Sequence, residues 1–186
     1  VACLSDAPDE GIWVALLQEH ARSLVGQGRV QDGLERLQRA RQVAGDAGLR
    51  RALAVTLGEI ARVRAQQGQV NAALDLHRQA LALFESLDDV PSQGVTLNEL
   101  ARIHWDRGEW GLARGALERA WACARDPGAV AFNGHLLGQL LVRDGEHTHA
   151  IQVLTQAAAA WRVLGRTERA ETCERLCEQA QAVLTP

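Results

Sequence analysis

The chain has 186 residues, 47% hydrophobic and 23% charged, enough for one domain or a short repeat array of ordinary soluble composition. Its formal net charge of -3 gives no overall attraction for nucleic acid and leaves room only for a local basic patch. All 20 basic side chains are arginine, so a GxxxxGKS/T phosphate loop, a lysine Schiff base and a Ser–Lys dyad are excluded.

A polar segment over 1–11 leads into a first predicted helix at 12–26, which turns at Gly28 into a second at 30–44. The next pair is expected at 50–67 and 70–87, turning at Gly68. A third pair follows at 91–107 and 110–125, with Pro91 in its first turn and Gly108 between its helices. The fourth pair is placed at 129–144 and 147–163 around Gly145. It is preceded by Asp126–Pro127, a capping side chain followed by the residue best tolerated in a first helical turn. A last helix at 167–184 carries Ala170, Cys173, Leu176, Cys177 and Ala180 on one face. Glu168, Arg169, Glu171 and Glu178 lie on the other, which is the dress of a cap; Pro186 lies beyond it.

These elements repeat. Gly28, Gly68, Gly108 and Gly145 are spaced by 40, 40 and 37 residues. Seven residues before them stand Ala21, Ala61, Ala101 and Gly138, and five after them Gly33, Ala73, Ala113 and Ala150. Seven further on stand Ala40, Ala80, Ala120 and Ala157. Small residues at fixed register mark close helix crossings, and the glycines supply the tight turn. Helix pairs at such a period stack on their neighbours instead of closing around one core.

The stretch 57–81, LGEIARVRAQQGQVNAALDLHRQAL, resembles a tetratricopeptide repeat, with Ala61, Gly68, Ala73 and Ala80 on that family's small-residue positions. Ala101, Gly108, Ala113 and Ala120 match it again, and the resemblance extends over about 12–184. It implies an all-α, right-handed superhelical solenoid of four helical hairpins plus a C-terminal capping helix. The repeats would run over about 12–48, 49–88, 89–126 and 127–164, with the cap at 167–184. The usual unit has 34 residues, so spacings of 40 and 37 require longer helices or longer links. Long units of this kind occur in sensor regions of bacterial transcription regulators and in peptide-gripping scaffolds.

The family's first helices line a concave side. On that strip the resemblance places Arg22, Arg62 and Arg102, with Gln139 as the fourth member. Gln18, Gly58, Asn98 and His135 lie one turn earlier. Gln66, Trp105 and Arg143 lie one turn later, and Phe132 near the start of the fourth first helix. Arginine forks suit carboxylates, Asn98 suits a peptide backbone, and Trp105 and Phe132 suit apolar anchoring. The competing reading is a solvated face in which Glu19, Glu99 and Asp106 absorb the arginines locally. The lysine-based clamp by which the family grips chaperone tails has no counterpart without lysine.

No catalytic constellation stands out, and neither a metal nor a cofactor is expected. His147 and His149 are two apart and share no helix face; Trp110 and His147 fall at the turn-packing position. Trp121 and Trp161 are expected to bury the seam with the next pair, and His104 to be buried or half-buried. Cys3, Cys123, Cys173 and Cys177 form no disulfide framework, which points to a reducing, cytoplasmic compartment. No membrane span or secretion signal is visible. The chain opens on Val1 rather than methionine, so further N-terminal sequence, up to whole domains, is expected.

The expectation is a non-enzymatic protein- or peptide-interaction module that grips an acidic or carboxylate-bearing segment. The alternative is a sensor domain of a larger transcriptional or signalling protein, binding a small anionic metabolite or signalling peptide. Upstream domains of the same polypeptide and a homodimer are further partners; nucleic acid is disfavoured by the net charge.

Overall fold

A computed structural model describes residues 9–185. Most of the 1–11 segment, with Cys3, and the terminal Pro186 lie outside the described residues. Within them the chain is all α-helix. The order is α1 (Glu10–Gly26), α2 (Val30–Asp46), α3 (Arg50–Gln66), α4 (Val70–Ser86), α5 (Val90–Asp106), α6 (Trp110–Cys123), α7 (Pro127–Arg143), α8 (His147–Val163) and α9 (Thr167–Leu184). Contacts divide the chain into two compact units, Val1–Asp89 and Val90–Pro186.

Three-residue links join all consecutive helices, so the long repeat comes from long helices. Seven helices have 17 residues, about 25 Å at 1.5 Å per residue. The spacing drops from 40 to 37 because α6 has only 14 residues. Its early stop follows from Pro127. A residue before proline is pushed out of the helical region, and Asp126 is extended at φ -112°, ψ 157°. Asp126 caps α7 by accepting from the Ala129 N–H at 3.0 Å, as its sequence predicts. α7 accordingly begins at Pro127 instead of near 129, and α6 ends at Cys123 instead of near 125.

The other links share one closure. The middle residue takes a left-handed conformation, and the next N–H reaches back five residues, as from Arg29 to the Leu24 carbonyl at 2.9 Å and from Glu146 to Leu141 at 2.8 Å. Gly28, Gly68, Gly108 and Gly145 do this inside the hairpins; Gly48, Asp88 and Gly165 do it between them.

In the first unit α1 pairs with α2 and α3 with α4, and α2 stacks on α3. Its core is a series of small clusters, such as Val14–Leu17–Ala40–Ala44 and Ala54–Leu57–Ala80–Phe84. In the second, α5–α6 and α7–α8 are hairpins and α9 closes on α8 and α7. One larger cluster there includes Leu117, Leu137, Leu141, Leu154, Trp161 and Cys173. Within each unit the hairpins stack as turns of a helical solenoid, ended in the second by the single helix α9. The face of α9 that packs is the predicted one, with Ala170, Cys173, Cys177 and Ala180 buried.

Candidate functional site

Three side-chain bonds join consecutive first helices at the same repeat register. In the first unit Gln18 of α1 donates to Thr56 Oγ1 of α3 at 2.8 Å. In the second, Asn98 of α5 donates to Asn133 of α7, and His135 of α7 meets Cys173 Sγ of α9 at 3.0 Å. The strip predicted to face a ligand through Gln18, Asn98 and His135 is thus partly a row of staples. Their sequence neighbours never reveal this, because each partner lies 35–38 residues away.

His135 is the most constrained of them. Gln139, the fourth member of the arginine ladder, donates to its Nε2 at 2.8 Å, so Nδ1 carries the proton towards Cys173. Burial first, and then the Arg169 charge, push the His135 pKa below its ordinary value. Burial raises the Cys173 thiol to about 11, with Cys177 and Glu174 adding to it. Both groups are neutral at pH 7, which argues against a thiolate nucleophile. A histidine with a lowered folded-state pKa binds fewer protons folded than unfolded. Its contribution is fully present above the ordinary pKa near 6.5 and is lost as pH falls below it. The Val90–Pro186 unit should therefore lose stability as pH falls below about 6.5. His135→Gln should flatten that slope in thermal melts run across the range; an unchanged slope would assign it to another group.

Trp105 and Arg143 are also engaged. Trp105 packs edge-to-face on Trp110 with centroids 5.3 Å apart, and the Arg143 guanidinium lies 4.6 Å over the Trp110 ring. Trp105 joins the packed surround of the core. Trp121 lies under Gly134, Trp161 is buried, and His104 is buried with Nδ1 on Glu109, as expected of seam and packing residues.

Two clefts hold residues predicted to contact a ligand, one in each unit. The first, of about 290 Å³, lies between α1, α2 and α3 and is lined by Arg22, Leu37, Glu59, Arg62, Val63 and Gln66 among others. Arg22 is occupied twice, by Glu19 at 2.8 Å and Glu59 at 3.1 Å. Arg62 is exposed and forms no hydrogen bond or ion pair among the described residues; its charge acts on Glu59 through space. Gln66, one turn on, is exposed and equally unengaged. The sequence alone did not pair Glu59 with Arg22, although Glu19, Glu59 and Glu99 recur at the arginine spacing and point to such a pairing.

The second cleft, of about 360 Å³, opens where α6 stops short. Pro91, Gly94, Val95, Ala120, Cys123 and Phe132 form apolar walls, and Asn98 and Asn133 add amides. Arg102 is turned to Glu99 at 2.9 Å and Asp106 at 3.8 Å, so it is neutralised on its own helix. Of the ten predicted contact residues, the first cleft brings together Arg22, Arg62 and Gln66, and the second Asn98 and Phe132. Arg102, Trp105, His135, Gln139 and Arg143 line neither.

Among the described residues no group of three or more His, Cys, Asp or Glu side chains could hold a metal, and no helix is long and apolar enough to cross a membrane. Cys123, Cys173 and Cys177 are free thiols.

A comparison with curated protein sequences gives no match. A family model for the tetratricopeptide repeat matches residues 13–86 and 52–126. Among solved structures, BtubC (BKLC) from P. vanneervenii is similar at TM-score 0.62 and 18% identity, over 96% of this chain and 67% of that one. A putative kinesin light chain from Podosopora anserina, with nearly identical TPR-like repeats, aligns at TM-score 0.61 and 20% identity, over 92% and 96% of the two chains. Aspartyl phosphate phosphatase F from Bacillus subtilis aligns at TM-score 0.62 and 17% identity, over 94% of this chain but 51% of that one. At these identities the likeness shows the repeat fold.

Proposed function

Because the chain belongs to the tetratricopeptide repeat family, we propose that it is a non-enzymatic, cytoplasmic module that binds a protein or peptide through an acidic or carboxylate-bearing segment. The observation that carries this reading is Arg62. It is an exposed guanidinium at the rim of a cleft, forming no ion pair among the described residues, and Gln66 beside it makes no hydrogen bond among them. Guanidinium offers a planar fork of donors that suits a carboxylate better than any other side chain does. Stacked repeats commonly bind along such faces. The second cleft offers an apolar anchoring site within the other unit, since Phe132 lines it beside the Asn98 and Asn133 amides.

The two arginines of the first cleft are expected to behave differently. Arg62→Ala should weaken binding of acidic peptides about tenfold or more, the worth of one hydrogen bond to a charged group. Arg22→Ala should do much less near pH 7.5, because Glu19 and Glu59 already neutralise Arg22. A peptide array probed with each variant, with every Asp and Glu peptide paired to its Asn and Gln counterpart, measures this. Equal retention of acidic and amide peptides by the original chain would overturn the proposal.

A further inference from the structure

The first cleft holds a carboxylate that its surroundings barely support. Glu59 is 8% exposed. One of its oxygens meets Arg22 at 3.1 Å, while Oε2 is buried with no hydrogen-bond partner among the described residues. A buried, half-satisfied carboxylate is costly to keep ionised. Its only ion-pair partner among the described residues, Arg22, is half exposed and already shared with Glu19. Arg62 stands on the same cleft and is free to receive an anion. Glu59 therefore occupies the place on Arg22 that a ligand's acid would need in order to be held by two guanidinium groups.

We propose that this cleft is a proton-coupled anion site: an anionic group of the ligand replaces Glu59 on Arg22 while pairing with Arg62, and Glu59 takes up one proton from solvent as it lets go. This rests on the reading of Arg62 as a ligand contact and adds what regulates that contact. No bond other than the O–H of Glu59 is made, and the proton comes from water. Burial raises the Glu59 pKa more than the charges of Arg22 and Arg62 lower it, and Glu19 adds to the rise. The facing charges are thus Arg22 and Glu19 from α1 and Arg62 from α3 itself; α2 meets the cleft through Leu37, and no residue of α4 lines it. Once Arg22 turns to the ligand its lowering effect on Glu59 is gone, so the protonated form is favoured further. By linkage, lower pH then favours the bound state. The ligand class is an anion that stays ionised in mild acid: a sulfate or phosphate ester, or a strongly acidic carboxylate.

Sulfate tests this, because its charge does not change between pH 5.5 and 7.5. The full chain is titrated with sodium sulfate against sodium chloride at constant ionic strength, following the Nε–H signals of Arg22 and Arg62 by NMR. The original chain should bind about tenfold more tightly at pH 5.5 than at 7.5. Glu59→Gln keeps the shape but cannot take up the proton, so it should bind at both pH values at least as tightly as the original chain does at 5.5. Both proteins carry the same histidines, so histidine charging alone would give them the same slope, and an equal slope overturns the proposal. Absence of any shift at Arg22 in both proteins also overturns it. If Arg62 responds and Arg22 does not, the proposed peptide contact survives and the proton coupling fails; if neither responds, both fail.

Discussion

Gly138→Ala is expected to destabilise the Val90–Pro186 unit by about 2 kcal/mol or more, against a helix-propensity gain of about 1 kcal/mol. An alanine Cβ there would stand 2.4 Å from both Cγ and Cδ2 of Leu154. Leu154 is fully buried, and Cγ is too close to its own backbone to swing aside, so α7 and α8 must separate. Leu154→Ala alone should cost about 2–5 kcal/mol by opening a cavity. The double variant should cost clearly less than the sum, because the new methyl fills part of that space. Urea melts of the four proteins give the coupling, and simple additivity would mean that the two residues do not meet. Gly115→Ala is the control. Gly115 is exposed with nothing within 4 Å of the added Cβ, so the propensity gain should appear undiminished.

Phe132→Ala is expected to weaken peptide binding at the second cleft about 30-fold, the effect of removing a hot-spot aromatic worth about 2 kcal/mol. Phe132 lines the cleft left by the short α6 and packs partly on the core, so its ring can bury a partner's side chain without being free to move away. The half-buried thiol of Cys123 lines the same cleft and gives a direct readout. Burial raises the pKa values of Cys173 and Cys177, so they should react slowly with a maleimide; Cys3 is replaced by serine in every protein. Bound peptide should slow Cys123 labelling in the original chain, and in Phe132→Ala only at about 30 times the concentration. Labelling that ignores saturating peptide would remove the second cleft from the binding surface. Circular dichroism before each assay separates lost binding from lost fold.

The fold was legible because its causes are local. Left-handed turns at Gly28, Gly68, Gly108 and Gly145 announce themselves by residue type, and Ala21, Ala61, Ala101 and Gly138 mark crossings that admit nothing larger. The equivalent turns at Gly48, Asp88 and Gly165 are less legible, because they stand between the hairpins and one of them is not a glycine. The Asp126–Pro127 start was read correctly. Its consequence, a second helix one turn short and a cleft in the gap, needed the lengths of both neighbours.

The candidate site was legible only in outline. The sequence by itself determined the helical hairpins and the recurrence of arginine at one register, because helix periodicity and turn chemistry act within a few residues of each position. Only the tertiary structure decided which of those arginines is free. Arg22 is neutralised by Glu59 from another helix, 37 residues on, while Arg62 forms no ion pair among the described residues and Arg102 turns to Glu99 and Asp106. The same holds for Asn98 and His135, whose partners Asn133 and Cys173 come from the next first helix. Side chains alike in sequence differ in their partners here because charge and hydrogen-bond pairing act through space, over a few ångströms that stacking alone brings about.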